Sequence, residues 1–232
     1  MRHYVNMKSQ LCFALLLSSV LAAAETDADK RLATANEMFS EIMGVPDRAV
    51  PQNLLDKAQC VILVPGLKKG AFIIGAKYGK GFVQCRGAND VGWSAPGAIR
   101  VEGGSVGFQI GGSETDVLML VMNESGMKRL FKNKTTLGAD ASVAAGPVGR
   151  TAQADTDAYL RAEILTWSRA RGLFAGISLQ GATLRPDDTT NLELYGSKVL
   201  NADVVAGKYP APAGAAALTE VLNKFSSRKI TK

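Results

Sequence analysis

The pentapeptide Gly103-Gly104-Ser105-Val106-Gly107 fits G-x-S-x-G, which in some hydrolases seats a serine nucleophile on a tight strand-to-helix turn. Such a serine needs a base. The single histidine, His3, falls inside a stretch with the make-up of a secretory signal. Beyond that stretch there is no imidazole for a Ser-His-Asp triad, for metal ligation or for a pH switch. No lysine stands at S-x-x-K spacing from Ser105, and the flanks EGGSVGFQIGG read as strand on both sides rather than strand then helix. Ser105 is therefore expected to be structural, and the protein non-enzymatic.

Phosphate chemistry fares little better as a motif. Gly66-Leu67-Lys68-Lys69-Gly70 and Gly79-Lys80-Gly81 mix glycine with lysine, yet neither G-x-x-x-x-G-K-[ST] nor a helix-opening G-x-G-x-x-G is present. They read as a loop followed by a hairpin turn, with the lysines in solvent. The carboxylate pairs Glu114 with Asp116, Asp155 with Asp157, and Asp187 with Asp188 fall near expected turns and helix starts, where capping is their ordinary use. No EF-hand loop occurs, and no metal or cofactor is expected.

Two clusters carry more charge than local structure needs. Lys128, Arg129, Lys132 and Lys134 crowd one segment, and Lys224, Arg228, Lys229 and Lys232 crowd the end. A basic side chain beside an anionic membrane contributes about 1 kcal/mol, so three or four together hold a protein weakly to a lipid surface. A solvated helix face and a basic tail explain the same residues equally well.

Which elements would position these groups? Leu32, Ala35, Phe39 and Ile42 recur at spacings of three and four, which predicts an amphipathic helix from Thr26 to Met43, closed by Gly44 and Pro46. A short helix over Gln52–Ala58 follows, opened by Pro51. From Cys60 the texture changes to short apolar runs separated by glycine: CVILV, AFIIGAKY, GFVQCR, AIRVEG, SVGFQIG and DVLMLVMN. These read as strands, with AFIIGAKYGKGFVQCR a hairpin turning near Gly79–Gly81. A helix over Ser125–Lys132, strands in SVAAGPVG and ILTWSRARGLFAGISLQGATLR, a helix capped by Asp187 or Asp188, and a last helix over Gly214–Phe225 complete the chain. Strand following strand without intervening helix predicts an α+β domain with a mainly antiparallel, strongly curved core. Glycine within strands marks the bulges and bends such curvature needs.

Arg2 and Lys8, the run LCFALLLSSVLAAA and the A-x-A of Ala22 and Ala24 describe a secretory signal at 1–24, leaving 25–232 as one exported, periplasmic or secreted domain. Two basic residues leave with the signal, so 25 Lys and Arg face 21 Asp and Glu, a balance of +4 that implies no nucleic acid. In an oxidising compartment Cys60 and Cys85 could pair. Their apolar surroundings favour buried thiols, with a bridge the lesser alternative. Trp93 is either an interfacial anchor or, more simply, a core residue. Nothing in the composition sets the oligomeric state.

VILVPGLKKGAFIIGAKYGKG, GWSAPGAIRVEGGSVGFQIGGSETDVLMLVMNESG, TLGADASVAAGPVGR and ILTWSRARGLFAGISLQGATLRPDD, with Tyr195-Gly196 beyond, together resemble the SYLF domain family over about 54–196. The resemblance implies binding of phosphoinositides or other anionic phospholipids, actin binding in some eukaryotic members, and no catalytic activity. Bacterial members are typically exported or lipid-anchored, and the signal here fits that branch, where actin is an unexpected partner. In some eukaryotic members an N-terminal amphipathic helix engages membranes. Here the first helix sets Asp27, Asp29, Glu37 and Glu41 against Lys30 and Arg31, so it is not expected to seek anionic lipid. The lipid-binding candidates are instead Lys68, Lys69, Lys77 and Lys80, and the cluster Lys128, Arg129, Lys132 and Lys134. The alternative is an envelope protein that binds other proteins and no lipid.

Overall fold

A reciprocal cap starts the first helix. The Thr26 hydroxyl accepts the Asp29 N–H at 3.1 Å, and the Asp29 carboxylate accepts the Thr26 N–H at 3.2 Å, satisfying two donors that a helix start leaves bare. From there α1 runs Asp27–Gly44 and buries Leu32, Ala35, Met38, Phe39, Ile42 and Met43 along one side. The structure is a computed structural model and describes residues 25–45, 49–71, 74–87, 90–106, 111–149, 159, 161–170 and 172–227. The expected signal at 1–24, the carboxylates Asp155 and Asp157, and the tail residues Arg228, Lys229 and Lys232 lie outside the described residues.

After α2 (Gln52–Lys57), for which Pro51 is the cap rather than the first helical residue, come four long strands. They are β1 (Cys60–Ala71), β2 (Ile74–Cys85), β3 (Gly97–Val106) and β4 (Gly111–Val121). Then α3 (Glu124–Leu130), β5 (Thr135–Thr136), β6 (Val143–Ala145), β7 (Ile164–Ala170), β8 (Leu173–Gly176) and β9 (Thr183–Pro186) follow. The chain ends in α4 (Asp188–Tyr195), α5 (Asn201–Val205), a 3₁₀ turn at Ala213–Ala215 and α6 (Ala216–Phe225). The strands form one sheet in the order β5-β9-β3-β2-β1-β4-β7-β6, with β8 on β7; every pairing is antiparallel except β6 with β7. This is the expected α+β domain, its sheet curled into a half-barrel.

The two faces of the sheet feed two cores. Val61, Leu63, Phe82, Leu118, Leu165 and Trp167 meet α1, α2 and α6 on one side. Phe39 and Phe225 meet there edge to face at 5.9 Å. Ile62, Val64, Leu67, Val83, Val101, Val117 and Met119 point to the other side, where Leu130 of α3 covers them. Trp93 belongs to the first core, 7% exposed, its indole N–H donating to the Ser226 carbonyl at 2.8 Å.

The sequence-based strand limits need two corrections. Gly66–Gly70, expected as a loop, continues β1; Gly79–Gly81, expected as a turn, lies in the middle of β2. The reason is a bulge. Leu63 pairs with Phe82 but Lys68 with Tyr78, so five steps on β1 match four on β2. Gly66 holds the extra residue at φ 61°, where a side chain would be strained, and its N–H donates to Asp116 Oδ1 at 2.9 Å. Opposite it, a Cβ on Gly81 would stand 2.8 Å from Val64 Cα, so β2 passes closely over the bulge only as glycine. Glycine here serves close approach inside a strand rather than a turn.

The preference for buried thiols is also corrected. Cys60 and Cys85 are direct register partners at the base of β1 and β2 and form a disulfide, S–S 2.05 Å. Cross-strand pairing brings together two residues 25 apart in sequence, which apolar patterning alone does not reveal.

Candidate functional site

The bulge decides where the first group of lysines points. By adding one residue it turns Leu67 into the second core and Lys68 toward α1, reversing the faces that uninterrupted alternation would give. Lys68 therefore joins Tyr78 and Lys80, its neighbours on β2, in a cleft of about 480 Å³ against α1. Helix α1 contributes Asp27, Lys30, Arg31 and Thr34, at helical spacings that put all four on one stripe beside its buried face. From β4 come Glu114 and Asp116, which sit within a strand rather than at the turn expected for them.

Several charges in the cleft are already committed. Lys80 Nζ lies 2.9 Å from Asp187 Oδ2 and donates to Thr190 Oγ1 at 3.4 Å. Asp116 takes the Gly66 N–H and two bonds from Arg169, at 3.0 and 2.6 Å, while Arg169 also pairs with Glu41. Lys30 and Asp27 form a loose exposed pair at 3.9 Å. By contrast Arg31, Lys68 and Glu114 have no ion pair among the described residues, and Arg31 Nη1 is buried without a hydrogen-bond partner.

Lys69 and Lys77 stand on the opposite face, directly across from each other on β1 and β2. Burial lowers the Lys69 pKa, and the Lys77 charge lowers it further. Ser113 of β4 is the other register neighbour of Lys69. No carboxylate within ion-pair distance offsets the two ammonium groups among the described residues.

Half of the second basic group is paired within the fold. Arg129 donates to Glu163 Oε1 at 3.0 Å and to the Asp140 carbonyl at 2.5 Å, tying α3 to the segments around β6. Lys128 meets Glu124 at 3.4 Å one turn away. Lys132 and Lys134 are exposed beside Asp140, whose carboxyl is held below its ordinary value first by the Thr136 N–H and also by these two lysines. Of the eight sequence candidates, Lys80, Lys128 and Arg129 have ion-pair partners, while Lys68, Lys69 and Lys77 on the β1–β2 hairpin and the exposed Lys132 and Lys134 have none among the described residues.

Ser105 lies in β3 opposite Gly75, and the next described element is the strand β4. Asp187 caps α4 as expected, accepting from the Thr190 N–H at 3.4 Å. Among the described residues no group of three or more His, Cys, Asp or Glu is placed to hold a metal ion, and no helix is long and apolar enough to cross a membrane. Sequence reasoning missed Arg31 as a cleft residue and Arg86 as a structural hub; the 27/30/31/34 spacing was the available signal for the first.

Fold and cleft together define a single α+β domain with a curled sheet and a charged groove beneath its first helix. Residues 102–225 match the Ysc84 family, described as Las17-binding protein actin regulator, and the chain belongs to that family. It is 34% identical over 206 residues to the SH3 domain-containing YSC84-like protein 1 of Rattus norvegicus, covering 88% of this chain and 60% of that protein. Against protein YSC84 of Saccharomyces cerevisiae it is 30% identical over 179 residues, covering 76% of this chain and 38% of that one. The chain thus spans about 60% of the length of the mammalian relatives it matches.

Proposed function

We propose that this chain is an exported, non-enzymatic module that binds anionic phospholipid surfaces, its signal occupying 1–24, through the lysines of the β1–β2 hairpin. The carrying observation is Lys69 facing Lys77 with no carboxylate in ion-pair distance of either among the described residues. Like charges directly across a strand pair are destabilising. A phosphate seated between them converts that repulsion into two charge-assisted hydrogen bonds. Lys68, on the other face of the same hairpin, adds to the long-range field.

Each lysine at an anionic surface contributes about 1 kcal/mol, so removing two weakens binding roughly 30-fold. Co-sedimentation of the Lys69→Ala, Lys77→Ala double variant with phosphatidylglycerol vesicles, over a salt series, measures this. Equal binding of the unaltered protein to neutral and anionic vesicles at low salt overturns the proposal, as does a variant that binds undiminished. Export is tested separately by the N-terminus of the purified mature protein, expected at Glu25.

The second reading is a protein-binding component of the envelope without direct lipid contact. The description of the family as a Las17-binding actin regulator favours it, as do Leu173, Leu192 and Leu200, each more than half exposed. A specific protein partner recovered while vesicles of either charge recover nothing decides for this reading.

A further inference from the structure

The cleft beneath α1 has a chemistry of its own. Its uncommitted charges are two cations, Arg31 and Lys68, and one anion, Glu114. No ion pair within 4 Å joins them, and Arg31 Nη1 is out of solvent with no hydrogen-bond partner among the described residues. A buried guanidinium nitrogen without an acceptor costs free energy that an incoming oxyanion repays. Glu114 stands directly across from Lys68 in the β1–β4 register, and its carboxylate packs over the Gly66 backbone, where a Cβ would collide with Oε1. Tyr78, the neighbour of Lys68 on β2, and Thr34 of α1 supply hydroxyls to the same cleft.

We infer that this cleft binds a small zwitterion with a phosphate at one end and an ammonium at the other, phosphoethanolamine chemistry, with the phosphate on Arg31 and Lys68 and the ammonium on Glu114. A phosphate alone would leave Glu114 repelling it, and an amine alone would leave Arg31 unanswered. The ligand is either the free compound or the headgroup of phosphatidylethanolamine, which carries the same two groups. This goes beyond the membrane-surface reading, because Lys69 and Lys77 lie on the other face of the hairpin.

The test is calorimetric titration of the full chain with O-phosphoethanolamine, glycerol 1-phosphate, which has hydroxyls in place of the ammonium, and ethanolamine. Phosphoethanolamine is expected to bind at least about 10-fold tighter than glycerol 1-phosphate, as one charge-assisted contact implies. Glu114→Gln removes that preference, with glycerol 1-phosphate bound more tightly once the carboxylate's repulsion is gone, while Arg31→Gln weakens both phosphates about 10-fold. Lys68→Gln, at an exposed strand position, repeats the second result should Arg31→Gln fail to fold. The Lys69→Ala, Lys77→Ala variant titrates as the unaltered protein, which separates this site from the lipid surface. Phosphatidylethanolamine in phosphatidylcholine vesicles then distinguishes the sources: vesicle binding displaced by free phosphoethanolamine assigns the headgroup, and binding of the free compound alone assigns the soluble ligand. Equal affinity for phosphoethanolamine and glycerol 1-phosphate, a preference that survives Glu114→Gln, or no saturable binding of any phosphate overturns the inference.

Discussion

At the scale of single residues, a buried arginine that ties three elements together was not singled out by its sequence context. Arg86, in QCRGAND, donates to the carbonyls of Ala58 at 3.1 Å, Leu55 at 2.9 Å and Ser226 at 2.6 Å, and to the Ser226 hydroxyl at 2.7 Å. Its guanidinium lies 3.8 Å from the centre of the Trp93 ring, whose N–H reaches the same Ser226 carbonyl. One planar fork therefore joins the ends of α2 and α6 to the end of β2. Lysine has the charge but neither the fork nor the stacking plane. Arg86→Lys is expected to lower unfolding free energy by about 3 kcal/mol, since several buried carbonyls lose a charged donor at once. Denaturant unfolding measures it; a loss within about 0.5 kcal/mol, the ordinary surface range, means that the fork is dispensable. Such a residue is invisible in sequence because its partners stand 28 to 140 positions away. The candidate lysines were visible as residue types, but not which would keep a partner: nothing in Gly79-Lys80-Gly81 announces Asp187.

Elements were legible where periodicity was long and obscured where glycine had two possible meanings. α1 emerged from the spacing of its apolar residues and β4 from its apolar run, while for α4 residue type left Asp187 and Asp188 as alternative caps, of which Asp187 is the one formed. The β1–β2 hairpin was misjudged because Gly66 and Gly79–Gly81 resemble turn residues, whereas they let two long strands cross a bulge. β5 and α5 are two and five residues long, too short for any periodicity to show. The join between β2 and α4 carries a prediction. Burial opposes the charge on Asp187, yet hydrogen bonds from Lys80 and Thr190 and the Lys80 charge hold its carboxyl below the ordinary value. A depressed folded value means the unfolded chain binds the proton more tightly. This stabilisation is therefore complete above the ordinary carboxylate range, about pH 4, and is lost as pH falls through the folded value. Asp187→Asn keeps a cap acceptor and removes the charge. It should unfold more easily than the unaltered protein at pH 7, by about 1–2 kcal/mol for a partly buried pair, with the gap closing below about pH 4. A gap that stays constant from pH 7 to pH 3 would assign the effect to shape rather than charge.

For the molecule as a whole, the disulfide connects stability to the proposed location. Cys60 and Cys85 close the base of the hairpin whose far half carries the unpartnered lysines, and both are buried in the core beneath the sheet. Constraining a loop of this length in the unfolded chain is worth about 3 kcal/mol in the loop-entropy account. β1 is also held by β4, and β2 by β3, so the native hairpin does not depend on the bridge to stay paired. The double variant Cys60→Ser, Cys85→Ser should accordingly keep the far-ultraviolet dichroism of the folded protein while its denaturant midpoint falls by an amount equivalent to about 3 kcal/mol. Loss of the native spectrum without denaturant would instead make the bridge a condition of folding. Disulfides persist in oxidising compartments and are rare in the cytosol, so the bridge supports the export reading independently of the signal-like residues 1–24. Lysing cells directly into denaturant that contains an alkylating agent, without reductant, and then measuring the mass of the protein tests this directly. Cys60 and Cys85 recovered without label place the folded chain where the bridge survives; both labelled after trapping in denaturant mean it works reduced, and the export reading loses its structural support.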